Sequence, residues 1–250
     1  TPATPTPTAT PTPTATPAPE KTPAPEKTPA PQKSAETRPG GTQGGLTAEE
    51  KLALAAEGEK ESPADVAPPS AIYAAQHGMT LDKNTGKDQY RTDPVPEGKP
   101  VPVEPESVKM SDKAYTCTLS VSCAAILDSL DWLDPEKVEL VPADGVILPA
   151  TTVTFYEGES VFNLLAREMK RNKIHLEFMN TPLYNSAYIE GIANLYEFDC
   201  GELSGWLYRV NDWFPNYGCS RYQLQEGDVV DWVYTCDLGG DVGGFAAAGG

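Results

Sequence analysis

Histidine is nearly missing from this chain: its 250 residues hold two, His77 and His175. A nucleophilic triad needs a base beside its nucleophile. His77 lies in an irregular stretch, and His175 alternates with Ile174 and Leu176 as a surface strand residue. Basic residues are also scarce, with 19 Lys and Arg against 36 Asp and Glu. From Ala114 to Gly250 there are 20 acidic residues and 7 basic ones, 13 more negative than positive. Affinity for nucleic acid comes mainly from Lys and Arg on phosphates, so a nucleic-acid partner is not expected. Adhesion to anionic lipid is disfavoured for the same reason. No apolar run approaches the ~20 residues of a membrane span. No Cys-x-x-Cys pair or Cys/His cluster suggests zinc, and no stretch has the oxygen-ligand cadence of an EF-hand. Carboxylates are plentiful, but Glu226-Gly227-Asp228 reads as a turn and Asp237 to Asp241 as a polar terminus, so no glycosidase pair stands out. The expectation is a non-enzymatic protein with no metal and no bound cofactor required for chemistry.

Large apolar side chains are absent from residues 1–45, which are almost wholly Thr, Pro, Ala, Glu, Lys and Gly. Such a stretch cannot bury enough apolar surface to offset the entropy of ordering it. Its repeats (TPTPTAT, then PAPEKT from Pro17 to Thr22 and again from Pro23 to Thr28) favour polyproline II. At about 3.1 Å per residue, some 35 residues of it would span roughly 100 Å, a semi-rigid stalk. The chain opens at Thr1 without Met, which leaves room for a signal peptide, anchor or further domain before it. Residues 46–61 carry a capping-box pattern, Thr47 with Glu50, and are expected to form a marginal helix. Residues 62–113 are proline-rich and expected to be extended, leading into the domain and lying along its surface.

Regular order is expected over residues 114–238, followed by a flexible Gly-rich tail at 239–250. Cys117, Leu119, Val121 and Cys123 alternate with Thr118, Ser120 and Ser122, the pattern of a half-buried strand. Thr151 to Tyr156 reads as a second strand. A helix capped by Ser160 follows, with Val161, Leu164, Leu165 and Met169 on one face. Ile174 to Met179, short strands between Ala187 and Phe198, Trp206 to Asn211, and Asp228 to Thr235 complete the set. This order predicts a single small α+β domain, β-grasp-like, with one helix packed on a mostly antiparallel sheet.

All five cysteines (Cys117, Cys123, Cys200, Cys219 and Cys236) lie in that domain. Disulfides in an exported protein are the expected use. Cys200 with Cys219 would close a loop of about 20 residues, contributing roughly 3 kcal/mol in the loop-entropy model. Cys236 would meet Cys117 or, slightly preferred, Cys123. The odd count leaves one thiol unpaired in the expected monomer.

The segment Gly205 to Gly239 is the richest in signal, with Trp206, Trp213 and Trp232 among many rings and turns. By period-two alternation Trp206, Tyr208 and Val210 share one face of a strand, and Trp232 and Tyr234 one face of another; these are core positions. Asp212 to Gly218 is turn-like, so Trp213, Phe214 and Tyr217 stand in a loop. They either form a recognition surface or fold back to cap the sheet end. With Asn211 and Tyr222 they make the candidate ligand site.

The run GWLYRVNDWFPNYGCSRYQLQEGDVVDWVYT resembles the transcobalamin-like C-terminal domain of unknown function found in exported proteins of Gram-positive bacteria. The resemblance rests on Ser204, Gly205, Trp206, Tyr208, Val210, Asn211, Tyr222, Gly227, Asp228, Val230 and Trp232, with the upstream GESVFNLLAREMKRNKI. It covers about Thr151 to Leu238. One departure is Asp212, where the family has Gly, which predicts a different turn there. Together with the stalk, the acidic surface and the lack of a catalytic constellation, the resemblance implies a secreted or cell-surface, wall-associated binding or interaction module, with an unknown extracellular protein or glycan as ligand. In animal carriers the similar domain closes over cobalamin opposite a helical barrel that this sequence lacks. Corrinoid binding, alone or with a separate helical partner, is therefore the alternative, and a carbohydrate-binding or polysaccharide-active protein the second alternative.

Overall fold

A computed structural model describes residues 68–244, and the structural statements below concern those residues. The stalk at 1–45 and the helix expected at 46–61 lie outside them. The described chain is α+β, with few helices and two sheets. Helix α1 spans Pro68–Gln76 and α2 Val161–Asn172. The strands are β1 (Ala114–Ser122), β2 (Val146–Tyr156), β3 (Leu176–Thr181), β4 (Ser186–Ile192), β5 (Leu195–Tyr196), β6 (Gly205–Val210) and β7 (Val229–Thr235). No helix among the described residues is long and apolar enough to cross a membrane.

The larger sheet has the order β2-β1-β7-β6. β1 pairs antiparallel with β2, β6 antiparallel with β7, and β1 parallel with β7, so the sheet is mixed. β3, β4 and β5 form a second, antiparallel sheet, where one mostly antiparallel sheet was expected from the sequence. The second sheet places Ala187, Ile189, Ile192 and Leu195 in the common core.

Alternation sets the core as anticipated on β1, where Cys117, Leu119 and Val121 are buried. α2 starts where Ser160 accepts a hydrogen bond from the Asn163 backbone N–H, while the Asn163 side chain accepts from Ser160 N. It stops at Lys173, which is left-handed at φ 57°. Its buried face is Val161, Leu164, Leu165 and Met169. The two sheets are joined by polar rings whose one polar atom finds a carbonyl. Trp206 Nε1 donates to Leu195 O at 2.8 Å, and the Tyr234 hydroxyl to Tyr196 O at 2.7 Å. Trp206 and Tyr234 meet edge to face at 5.2 Å.

The stretch before β1, which opens with α1, is part of this core. Ala74, Met79 and Val95 are buried in the same cluster as the strands. Residues 88–107 cross the domain as a strap, and the strap positions the candidate site.

Candidate functional site

The strap is held by one cation. Arg221 is 1% exposed, and its guanidinium contacts Asp88 Oδ2 at 2.6 Å, Glu104 Oε1 at 2.7 Å and Thr92 Oγ1 at 2.6 Å. The Tyr90 ring lies 4.9 Å from its Cζ. Burial works against its charge, but Asp88 and Glu104 outweigh that and hold the group protonated. Its backbone takes part as well, because Val103 N donates to Arg221 O at 2.9 Å.

The strap also supplies the core that the aromatic loop enters. Tyr217 is 6% exposed and its hydroxyl donates to Pro100 O at 2.8 Å. Tyr222 is buried and stacks on Tyr217 at 6.2 Å. Burial raises both phenols, so they act as neutral donors. Asn216 Nδ2 donates to Asp93 O at 3.1 Å. Trp213 and Phe214 are half-buried, with Lys99 Nζ 5.4 Å above the Trp213 ring. Asn211 is exposed, yet its side chain is engaged: Nδ2 donates to Asp228 Oδ1 at 2.8 Å, and Val229 N donates to Oδ1 at 2.9 Å. Of the five ligand candidates, Tyr217 and Tyr222 are thus core residues and Asn211 a turn brace. Trp213 and Phe214 keep partly open rings. The turn itself is a two-residue connection in which Asn211 (φ 51°) and Asp212 (φ 61°) are both left-handed, and Val210 and Trp213 bridge across it. This is the geometry an Asn-Gly pair would adopt, reached with Asp212 instead.

Where the strap passes the ends of β1 and β2 it leaves an open cleft of about 770 Å³. One part of its lining is the strap itself, with Lys99, Pro100, Val101 and Val103, beside Tyr73 and His77 of α1 and its end. The rest comes from Tyr115, Glu157, Gly158 and the run Gln223 to Glu226. Tyr73 and His77 stack at 4.0 Å, and the Tyr73 hydroxyl donates to Lys99 O, so this ring platform is fixed to the strap. Tyr115 is fixed by Phe155 at 5.5 Å. Gly158 (φ 94°) has to be glycine, since a Cβ there would stand 2.7 Å from Lys109 O. A smaller hollow of about 170 Å³ continues past Val103, Gly158 and Gln223 towards Ser160 and Asn163.

The cleft's charge is acidic at two points. The Ser111 hydroxyl donates to Glu157 Oε2 at 2.8 Å, and with Lys113 nearby it holds the Glu157 carboxyl below its ordinary range. Glu226 Oε1 lies 3.5 Å from Thr116 Oγ1. Gln223 and Gln225 add amides, which both donate and accept. The lining contains no Ser, Thr or Cys that a base would activate. His77 Nδ1 is taken by Tyr73 O at 2.8 Å. His175 lies just ahead of β3, half-buried, with Nε2 3.2 Å from the Tyr196 hydroxyl. Among the described residues no three His, Cys, Asp or Glu side chains gather in a way that would hold a metal ion. Rings, amides and carboxylates can bind a polar ligand with apolar faces, by stacking and hydrogen bonding.

The pairings expected from the sequence, Cys200 with Cys219 and Cys236 with Cys117 or Cys123, are not formed. All five cysteines are buried free thiols. Cys200 Sγ donates to Ser129 O and Cys219 Sγ to Ala187 O, each at 3.4 Å, so these two point to different neighbours. Cys123 lies with Asp144 nearby, at the start of a 3-10 turn, and not against Cys236.

Sequence reasoning missed the cleft because its linings are distant in sequence, Tyr73 and Gln223 being brought together only by the strap. The available signal was Arg221 itself, a lone cation in the turn between Ser220 and Tyr222, with Glu104 and Glu106 in the proline-rich stretch far upstream.

No curated protein matches the chain in sequence. Haptocorrin in complex with Cbi is similar at 13% identity and a TM-score of 0.37, over 50% of this chain and 26% of that one. The chain thus spans about a quarter of haptocorrin's length. A candidate metal binding protein from Ruminococcus gnavus ATCC 29149 is similar at 13% identity and a TM-score of 0.29, over 48% of this chain and 96% of that one. Residues 158–235, from the turn before α2 to the end of β7, match a domain of unknown function, DUF4430.

Proposed function

We propose that this chain is a non-enzymatic binding module, secreted or held at the cell surface of a Gram-positive bacterium on its Thr/Pro-rich stalk. Its ligand lies in the strap cleft. The observation that carries this reading is the cleft of about 770 Å³, within the range of small-ligand sites, with rings, amides and carboxylates converging on it. The ligand class that suits this lining is a glycan: sugar C–H faces stack on the Tyr73–His77 platform and on Tyr115, and hydroxyls bond to Gln223, Gln225, Glu157 and Glu226. The strand order β2-β1-β7-β6 with a parallel central pair, and α2 following the β1–β2 pair, supports a β-grasp relationship for the domain.

A glycan array followed by titration of the best hit tests the reading, with cobalamin titrated in parallel and followed by corrin absorbance. Glycan binding that is lost in Gln223→Ala supports it. Tight one-to-one cobalamin binding with a silent array would replace it with the corrinoid alternative.

A further inference from the structure

Cys236 follows directly on β7, whose last ladder pair is Thr235 with Gly205. The next residue pair in that register sets Cys236 opposite Ser204. Ser204 in turn belongs to a tight loop with Cys200: its Oγ accepts from Cys200 N at 3.2 Å and donates to Gly201 O at 2.7 Å. Leu238 N donates to Leu203 O at 3.0 Å, so the chain beyond Cys236 stays against the same loop. The register and the loop bring the two thiols together although they are 36 residues apart in sequence. The nearby Cys200 thiol pushes the Cys236 thiol up, and Ser129 adjoins both. Both also act on the Tyr234 hydroxyl. The other thiols have different surroundings: Asp228 and Arg167 near Cys117, Asp144 near Cys123, and Ser186 near Cys219.

We propose that Cys200 and Cys236 are joined by a disulfide in the mature protein, formed by exchange with a disulfide oxidant. One thiolate attacks a sulfur of the oxidant, forming a mixed disulfide and releasing one oxidant thiol. The second cysteine thiolate then displaces the other oxidant thiol and closes the Cys200–Cys236 bond. The two cysteines lose two electrons and two protons, and the oxidant gains both as two thiols. Because both sulfurs are buried, exchange takes place during folding or on local opening of the 198–204 loop. The bond ties that loop to the end of β7, where Trp206 and Tyr234 join the two sheets.

The test uses the full chain, reduced and unfolded, then refolded in a mixture of reduced and oxidised glutathione. Free thiols are alkylated in denaturant, and the linked peptides are found by mass spectrometry. The expected product is two hydrogens lighter, with Cys200 linked to Cys236 and with Cys117, Cys123 and Cys219 alkylated. Cys219→Ala keeps the linkage, and Cys236→Ala yields no intramolecular link. A principal Cys200–Cys219 or Cys123–Cys236 link, a mixture, or five alkylated cysteines would each overturn the proposal.

Discussion

Arg221→Ala should detach the strap. The side chain is 1% exposed and holds Asp88, Glu104 and Thr92 at once, so its removal leaves two carboxylates against the domain without their counter-ion. Breaking a buried pair from one side costs about 3–5 kcal/mol. That is a large part of the ~5–15 kcal/mol that stabilises a typical domain. With a urea slope of about 2 kcal/mol per M, the midpoint should fall by ~2 M. Proteolysis should then cut first within residues 93–107. Arg221→Lys keeps the charge but not the planar fork, and should fall between wild type and Ala. Arg221 Nε is buried without a partner, so the arrangement is not fully satisfied. Replacing all three groups (Arg221→Met, Asp88→Asn, Glu104→Gln) should therefore recover most of the loss. A midpoint for Arg221→Ala within ~0.3 M of wild type, less than 1 kcal/mol at that slope, would refute the reasoning.

Tyr217→Ala should cost about 3–5 kcal/mol, as for truncation of a buried ring, whereas Trp213→Ala should cost less than half of that; equal losses in urea melts would contradict the burial described. Asp212→Gly should stabilise by about 1 kcal/mol, because glycine enters the left-handed region without the Cβ penalty; an unchanged or lower melting temperature counts against the turn geometry. Burial raises Cys123 to about 11 and Cys117 and Cys219 to about 12, so the native state keeps protons that the unfolded chain sheds. The stability from these groups is complete below their unfolded values near ~8.5 and is lost as pH rises from there through 12. Urea midpoints measured from pH 7 to 11 should decline above ~8.5, and a flat profile would show that these thiols are not buried in solution.

The sequence was most legible where a contact partner lies nearby in the chain. Ser160 with the Val161, Leu164, Leu165 and Met169 stripe specifies α2 almost unaided, and the alternation in β1, β6 and β7 marks their buried faces. Partners far apart in the chain were not legible. Nothing local tells β1 to pair in parallel with β7 more than 100 residues later, or Tyr217 to bond Pro100. The aromatic loop seemed to have no core to enter because that core is the strap. The same holds for the thiols, since Cys200 and Cys219 are nearer in sequence but Cys200 and Cys236 are neighbours in the fold. β2 begins at Val146, ahead of the expected Thr151, since Pro149 masks the strand pattern there.

On the proposed reading the strap cleft binds the ligand and the aromatic loop does not. Calorimetric titration of the best array glycan into wild type, Gln223→Ala, His77→Ala and Trp213→Ala tests it most directly. Gln223 and His77 line the cleft, whereas Trp213 lies outside its lining. Loss of a stacking or hydrogen-bonding group should weaken binding about tenfold for Gln223→Ala and His77→Ala, or ~1.4 kcal/mol each, with Trp213→Ala binding as wild type does. Weakened binding in Trp213→Ala, with the two cleft variants unchanged, would place the site on the loop and contradict the account.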